Sequence, residues 1–129
     1  MFAEVMSQSK ISTIWSLDDD YIQLEVVRSM VKYQMPEVSF KTFDKSKELV
    51  DLFRSGVYPD LLFLDIRMPE INGLEVLELI QDLQVPSLVI MLTSSANPAD
   101  REKCEQYSFV KGYEQKPLHP NVLKQLAEL

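Results

Sequence analysis

The chain has 129 residues, of which 46% are hydrophobic and 26% charged. This is the composition of one globular domain and excludes an intrinsically disordered chain or one that needs disulfides to hold a core. Thirteen basic against twenty acidic residues leave a net charge of −7, a poor match for a nucleic-acid backbone or an anionic membrane. The single cysteine, Cys104, cannot pair internally. The first ten residues lack a signal-peptide pattern, and no apolar run approaches the ~18 residues of a membrane span. A reducing, cytoplasmic location is expected.

Residues 1–10 read as an N-terminal extension that need not be ordered, and residues 11–129 as the domain. Residues 14–17 form a short apolar run, as in a strand buried on both faces of a parallel sheet. A helix follows, with Ile22, Val26, Met30 and Tyr33 on one face and Leu24, Val27 and Val31 beside them. Residues 38–43 alternate less cleanly and read as an edge strand, and Gly56 after Arg54-Ser55 marks a helix stop. Residues 61–64 repeat the buried-strand pattern, followed by a helix carrying Val76, Leu77, Ile80 and Leu83.

A third such strand is expected over 88–92. Asn97-Pro98-Ala99-Asp100 then has the form of a capping box, with Asn97 as cap and Asp100 at the third helical position. Cys104 falls mid-helix, where inert packing is expected. Residues 110–114 read as a weaker strand, and His119-Pro120 opens a last helix with Val122, Leu123 and Leu126 on one face. The result is five β–α units, hence a parallel sheet with right-handed crossovers and helices on both faces.

In such sheets the functional groups lie beyond the carboxyl ends of the strands. After the first strand come Asp18, Asp19 and Asp20; after the third, Asp65; after the fourth, Thr93, Ser94 and Ser95; after the fifth, Lys116 and Pro117. Taken singly each is ordinary: a solvated helix cap, a turn residue, a surface lysine. Together they converge on one edge. Carboxylates facing each other across neighbouring strands repel, and Mg²⁺ resolves this by taking oxygen ligands from one or two of them. With a cation and Lys116 to neutralise phosphoryl oxygens and Thr93 to donate a hydrogen bond, Asp65 is the natural nucleophile.

The segments Leu17-Asp18-Asp19-Asp20, Leu64-Asp65-Ile66-Arg67-Met68-Pro69 with Asn72-Gly73, Met91-Leu92-Thr93-Ser94, and Gly112-Tyr113-Glu114-Gln115-Lys116-Pro117 resemble, in order and spacing, the receiver domain of response regulators in two-component signalling. The resemblance runs from Ile11 to the end of the chain. It implies a flavodoxin-like, doubly wound five-stranded sheet of strand order 2-1-3-4-5. It also implies that Asp65 accepts a phosphoryl group from a sensor histidine kinase or a histidine phosphotransfer protein. Asp18, Asp19, Asp65 and the Arg67 backbone carbonyl would hold Mg²⁺, with Asp18 often acting through water. Thr93 and Lys116 would bind the phosphoryl group, Pro117 would follow a peptide bond that is often cis, and Tyr113 would be the aromatic switch. Trp15 and Ser16 depart from the small aliphatic residues usual in the first strand; Trp15 is expected in the core or against a helix. Arg67 and Ser95, two places after Asp65 and Thr93, stand where the family tunes phosphate lifetime.

The expected function is a phosphorylation switch that dephosphorylates itself slowly and acts by binding a downstream protein, not nucleic acid or a membrane. The length leaves no residues for an output domain, so a stand-alone regulator is expected. A phosphate-shuttling carrier in a phosphorelay and an unphosphorylated scaffold are the alternatives. A haloacid-dehalogenase-type phosphatase would need an acid where Arg67 stands. A flavodoxin-type cofactor site would need small residues where Asp18-Asp19-Asp20 would repel phosphate.

Overall fold

The structure, a computed structural model, describes residues 10–128; residues 1–9 of the expected extension lie outside them. Ten elements alternate along the described residues: β1 (Thr13–Leu17), α1 (Tyr21–Gln34), β2 (Ser39–Phe43), α2 (Ser46–Arg54), β3 (Leu61–Leu64), α3 (Gly73–Leu83), β4 (Leu88–Thr93), α4 (Pro98–Glu105), β5 (Val110–Gln115) and α5 (Pro120–Ala127). The five strands are parallel in the order β2-β1-β3-β4-β5. All four residues of β3 are buried, because this central strand has helices on both sides and no face left for water. β2, at the edge, alternates exposed and covered positions, as expected for residues 38–43. β5 is the other edge and is continuous apart from a register shift opposite Val89 and Ile90.

Two apolar layers sandwich the sheet. Leu62, Leu64 and Met91 meet α2, α3 and α4 through Leu49, Phe53, Leu77, Ile80 and Cys104. On the opposite face Ile14, Phe63 and Ile90 meet α1 and α5 through Val27, Val31, Leu123 and Leu126. Trp15 belongs to the first layer, 4.9 Å from the Phe43 ring and stacked on Phe53 at 6.0 Å. The bulky residue in β1 thus fills space between the edge strand and α2, the helix contact expected of it.

The two apolar rows of α1 have different fates. Leu24, Val27 and Val31 are buried, whereas Ile22 is 70% and Tyr33 85% exposed. Ile22 and Tyr33 therefore lie on the outside of the helix, whereas Val26 and Met30 between them are half-buried, with Met30 packed against the layer of Val27 and Val31. Leu83 is likewise exposed at the end of α3, while Val76, Leu77 and Ile80 are buried. Val122, Leu123 and Leu126 are all buried, and His119 caps α5, its Nδ1 accepting from the Asn121 N–H. Gly56 follows α2 with φ +84°, the left-handed helix exit that glycine adopts at little cost.

Among the described residues no helix is long and apolar enough to cross a membrane. Cys104 is a free thiol with no exposed surface. Burial first, then the charges of Asp100 and Glu105, push its pKa up from 9.0 to about 11. The folded pKa lies above the unfolded one, so this stabilisation is complete below pH 9 and lost as pH rises to about 11. A thiol reagent at pH 8 is expected to label Cys104 in urea but not in the native chain. The urea midpoint should fall between pH 9 and 11, and by less in a Cys104→Ala chain. Rapid labelling of native protein would contradict the inert assignment.

Candidate functional site

Leu17 pairs with Leu64 across β1 and β3, so the residues that follow, Asp18 and Asp65, emerge side by side. The Asp65 N–H donates to the Leu17 carbonyl and the Asp18 N–H to the Phe43 carbonyl, at 3.2 and 3.0 Å. The sheet ladder thereby carries both acids one step beyond its regular end. Both are buried, at 3% and 4% exposure. Asp19 is exposed, but oxygens of Asp18, Asp19 and Asp65 all lie within 4.8 Å of one another.

The acid triplet divides its work. Asp20 is the cap of α1, its side chain accepting from the Ile22 and Gln23 N–H groups at 3.0 and 3.4 Å. This is the ordinary helix-cap role; the other two acids face the sheet end. Asp18 Oδ1 accepts from the Asp20 N–H at 2.9 Å, which holds its carboxylate toward β3.

Lys116 arrives from the far edge. Its N–H donates to the Thr93 carbonyl at 2.9 Å, extending the β4–β5 pairing, and its peptide bond to Pro117 is cis, as the resemblance implies. The ammonium lies 2.6 Å from Asp18 Oδ2 and 2.8 Å from Asp65 Oδ2. Burial acts to lower the Lys116 pKa, but the hydrogen bonds to Asp18 and Asp65 outweigh it, so the pKa stands above the ordinary value. Asp18 responds differently. Burial raises its pKa, and the hydrogen bonds from Lys116 and from the Asp20 N–H do not fully offset this, with the Asp65 charge adding to the rise. One cation is shared between two buried carboxylates and a third nearby, so the cluster stays short of positive charge.

A hard divalent cation fits this donor set. Asp65 Oδ1 is buried with no hydrogen-bond partner, an orphaned carboxylate oxygen that needs a cation or a strong donor. The surrounding donors are carboxylates, as Mg²⁺ prefers. The Arg67 carbonyl lies in the loop after β3 and accepts no hydrogen bond among the described residues, while the Arg67 side chain is exposed.

Thr93 ends β4, fully buried, its Oγ1 accepting from the Ser95 N–H at 3.2 Å. Tyr113, on β5, is half-buried, with its hydroxyl 3.5 Å from the Ser95 carbonyl. Six of the seven expected residues thus stand at or just past four strand ends. Tyr113 stands two residues before the end of its strand.

Sequence reasoning singled out Asn72-Gly73 but gave neither residue a role. Gly73 packs its backbone against Asp65; a Cβ there would lie 2.2 Å from the Asp65 carbonyl oxygen. The capping box is at α3, where Asn72 Oδ1 accepts from the Glu75 N–H at 2.9 Å and the Asn72 N–H donates to Glu75 Oε1 at 3.0 Å. The Asn72-Gly73-Leu74-Glu75 spacing could have shown it. The box expected at Asn97 does not form: the Asn97 side chain accepts from Ala99, and Asp100 bonds to Ser95 instead. A nearby buried hydroxyl competes successfully for that carboxylate.

Carboxylates and a lysine gathered at the carboxyl edge of a parallel sheet place the molecule among doubly wound α/β proteins with a charged site at the strand ends. Comparison with known proteins narrows this class. The family model of the response regulator receiver domain matches residues 14–128, and the chain belongs to that family. Transcriptional regulatory protein DcuR of Escherichia coli (strain K12) is 33% identical over 98 residues, covering 73% of this chain and 40% of that protein. Osmosensing histidine protein kinase SLN1 of Saccharomyces cerevisiae is 28% identical over 115 residues, covering 84% of this chain and 9% of the kinase. The chain thus spans less than half the length of either relative. The crystal structure of a two component response regulator from Cytophaga hutchinsonii superposes with a TM-score of 0.76 at 30% identity. That match covers 92% of this chain and 96% of that one.

Proposed function

We propose that this chain is a single-domain, cytoplasmic response regulator. It accepts a phosphoryl group on Asp65 from a phosphohistidine of a sensor kinase or phosphotransfer protein and signals by binding another protein. The observation that carries the reading is the buried Asp65 carboxylate, with one oxygen on Lys116 and the other without a partner.

Asp65 attacks phosphorus; a P–O bond forms, the P–N bond to the partner's histidine breaks, and the imidazole leaves with the bonding pair and takes up a proton. Asp18, Asp19, Asp65 and the Arg67 carbonyl would hold Mg²⁺, which when bound supplies the positive charge that the phosphoryl oxygens and crowded carboxylates need. Lys116 pairs with one phosphoryl oxygen and the Thr93 hydroxyl donates to another. Slow hydrolysis of the acyl phosphate resets the switch. Tyr113 then reports the occupancy of the Thr93 corner to the α4–β5–α5 surface by a shift between two packings. The apolar exterior of α1, which starts beside the strand ends, offers the phosphohistidine partner a contact face.

Incubation with acetyl phosphate and Mg²⁺, followed by intact-mass measurement, is expected to show one added phosphoryl group. Asp65→Asn, or removal of Mg²⁺ with a chelator, should abolish it. Because a short-lived phosphate would escape detection, beryllofluoride serves as a stable mimic. A native chain that takes up neither is not a phosphoacceptor.

A further inference from the structure

Asp100 stands where a capping carboxylate returns to its own helix start, yet it does not cap. The Ser95 hydroxyl donates to Asp100 Oδ2 at 2.6 Å and accepts from the Asn97 N–H at 3.3 Å, so it sits between the two groups that a capping box would join directly. The Ser95 backbone is equally engaged. Its N–H donates to Thr93 Oγ1 at 3.2 Å, and its carbonyl accepts from the Gln115 side-chain amide at 3.4 Å and the Tyr113 hydroxyl at 3.5 Å. Arg101, next to Asp100, lies over the Tyr113 ring at 5.6 Å. One buried serine thereby ties the end of β4 to the first turn of α4 and to β5.

We infer that Ser95 and Asp100 form a latch that couples the position of the Thr93 hydroxyl to the first turn of α4. The inference rests on the reading of Asp65 as phosphoacceptor. It makes Ser95 and Asp100 positioning residues, since neither touches the reacting atoms. The Ser95 N–H occupies one acceptor site of Thr93 Oγ1, which leaves the hydroxyl proton to donate toward the neighbouring strand end that carries Asp65. A Thr93 that moves toward a phosphoryl oxygen must stretch the bond to Ser95 or pull Ser95 with it. The hydroxyl–carboxylate bond to Asp100 is short and charge-assisted, the strongest of the set. Displacement of Ser95 therefore passes into α4 rather than dissipating in the loop. The links to β5 are near the limit of hydrogen-bond length and weaker, so α4 is the principal receiver.

The test measures hydrogen exchange at the amides of residues 99–101 with and without beryllofluoride and Mg²⁺, in the full chain and in Ser95→Ala, Asp100→Ala and Asp100→Asn. The fluorine NMR signal of bound beryllofluoride separately reports occupancy at Asp65. All four chains are expected to bind the mimic. Exchange should change roughly tenfold in the native chain, the scale of one charge-assisted hydrogen bond. Asp100→Asn, which keeps an acceptor oxygen, should behave similarly, and the two alanine variants should change little. Asp100 is only partly buried, so its alanine variant keeps the test decisive if Ser95→Ala fails to fold. Native-like exchange changes in Asp100→Ala would overturn the latch. A folded alanine variant that loses the fluorine signal would also overturn it, by assigning the pair to the site itself. No signal in the native chain would instead sink the phosphoacceptor reading, and the latch with it.

Discussion

Replacing Gly73 by alanine is expected to unseat Asp65 and cost the chain both the phosphoryl acceptance proposed for it and a large part of its stability. The new Cβ would stand 2.2 Å from the Asp65 carbonyl oxygen, 2.8 Å from Ile66 Cα and 2.9 Å from the Asp65 carbonyl carbon. All three are backbone atoms in a strand end fixed by its neighbours, so no side chain can swing aside. The Gly73 N–H donates to the Ile66 carbonyl at 2.7 Å, and this bond holds the start of α3 against Asp65. Relief of the clash must break it and push the β3–α3 loop outward. Overpacking of this kind costs about 1–3 kcal/mol or more, and a misplacement of about 1 Å at a reacting group costs roughly 10²-fold in rate. Urea unfolding and the initial rate of labelling by acetyl phosphate check both effects. Gly112→Ala is the matched control, because its Cβ would meet only side-chain atoms at ordinary contact distance, Ile90 Cγ2 at 3.5 Å, Ile90 Cγ1 at 3.7 Å and Glu114 Oε2 at 3.9 Å. If Gly73→Ala labels and unfolds like that control, the close approach is not what positions Asp65.

Asp18→Asn is expected to raise stability in the absence of Mg²⁺ and to blunt the response to the cation. Two buried carboxylates share the Lys116 ammonium, and burial dominates the upward shift of Asp18. A carboxyl group whose folded pKa is raised supports folding fully only below its unfolded value of 3.8, and that support is lost as pH climbs through the folded pKa. Above that folded pKa the ionised Asp18 is therefore a net burden, even with Lys116 beside it. An amide would remove the charge and leave Lys116 with Asp65 as a balanced pair, a gain on the order of 1–2 kcal/mol. For the native chain Mg²⁺ should raise the melting temperature, because a cation held by the folded carboxylate cluster would have no such site in the unfolded chain. Thermal melts in chelator and in Mg²⁺ test both parts. A variant less stable than native in chelator would mean that the Lys116 pairing outweighs desolvation. A Mg²⁺ shift as large as the native one would remove Asp18 from the cation site.

The sheet and its functional edge were legible in the sequence because both depend on local pattern. A strand buried on both faces leaves a continuous apolar run, as at residues 61–64. The first polar residue after such a run must emerge at the carboxyl edge, whatever the helices do. Asp18, Asp65, Thr93 and Lys116 could be placed on that reasoning, and the cap role of His119 followed from its position before Pro120.

Other features became visible only in three dimensions. The spacing within α1 shows two apolar rows but not which one meets the sheet. The crossover between β1 and β2 and the position of α5 select Leu24, Val27 and Val31 and leave Ile22 and Tyr33 outside. Asp18, Asp19 and Asp20 are chemically equivalent in the chain; the sheet ladder and the start of α1 make one an ion-pair partner, one an exposed ligand candidate and one a helix cap. Gly73 matters through the Asp65 backbone eight residues earlier, and Asp100 turns to Ser95 because the loop brings a buried hydroxyl closer than its own helix start. Periodicity and spacing record what each residue offers. Which neighbour accepts it depends on distances set by strands far apart in the chain, and only packing the whole domain determines those.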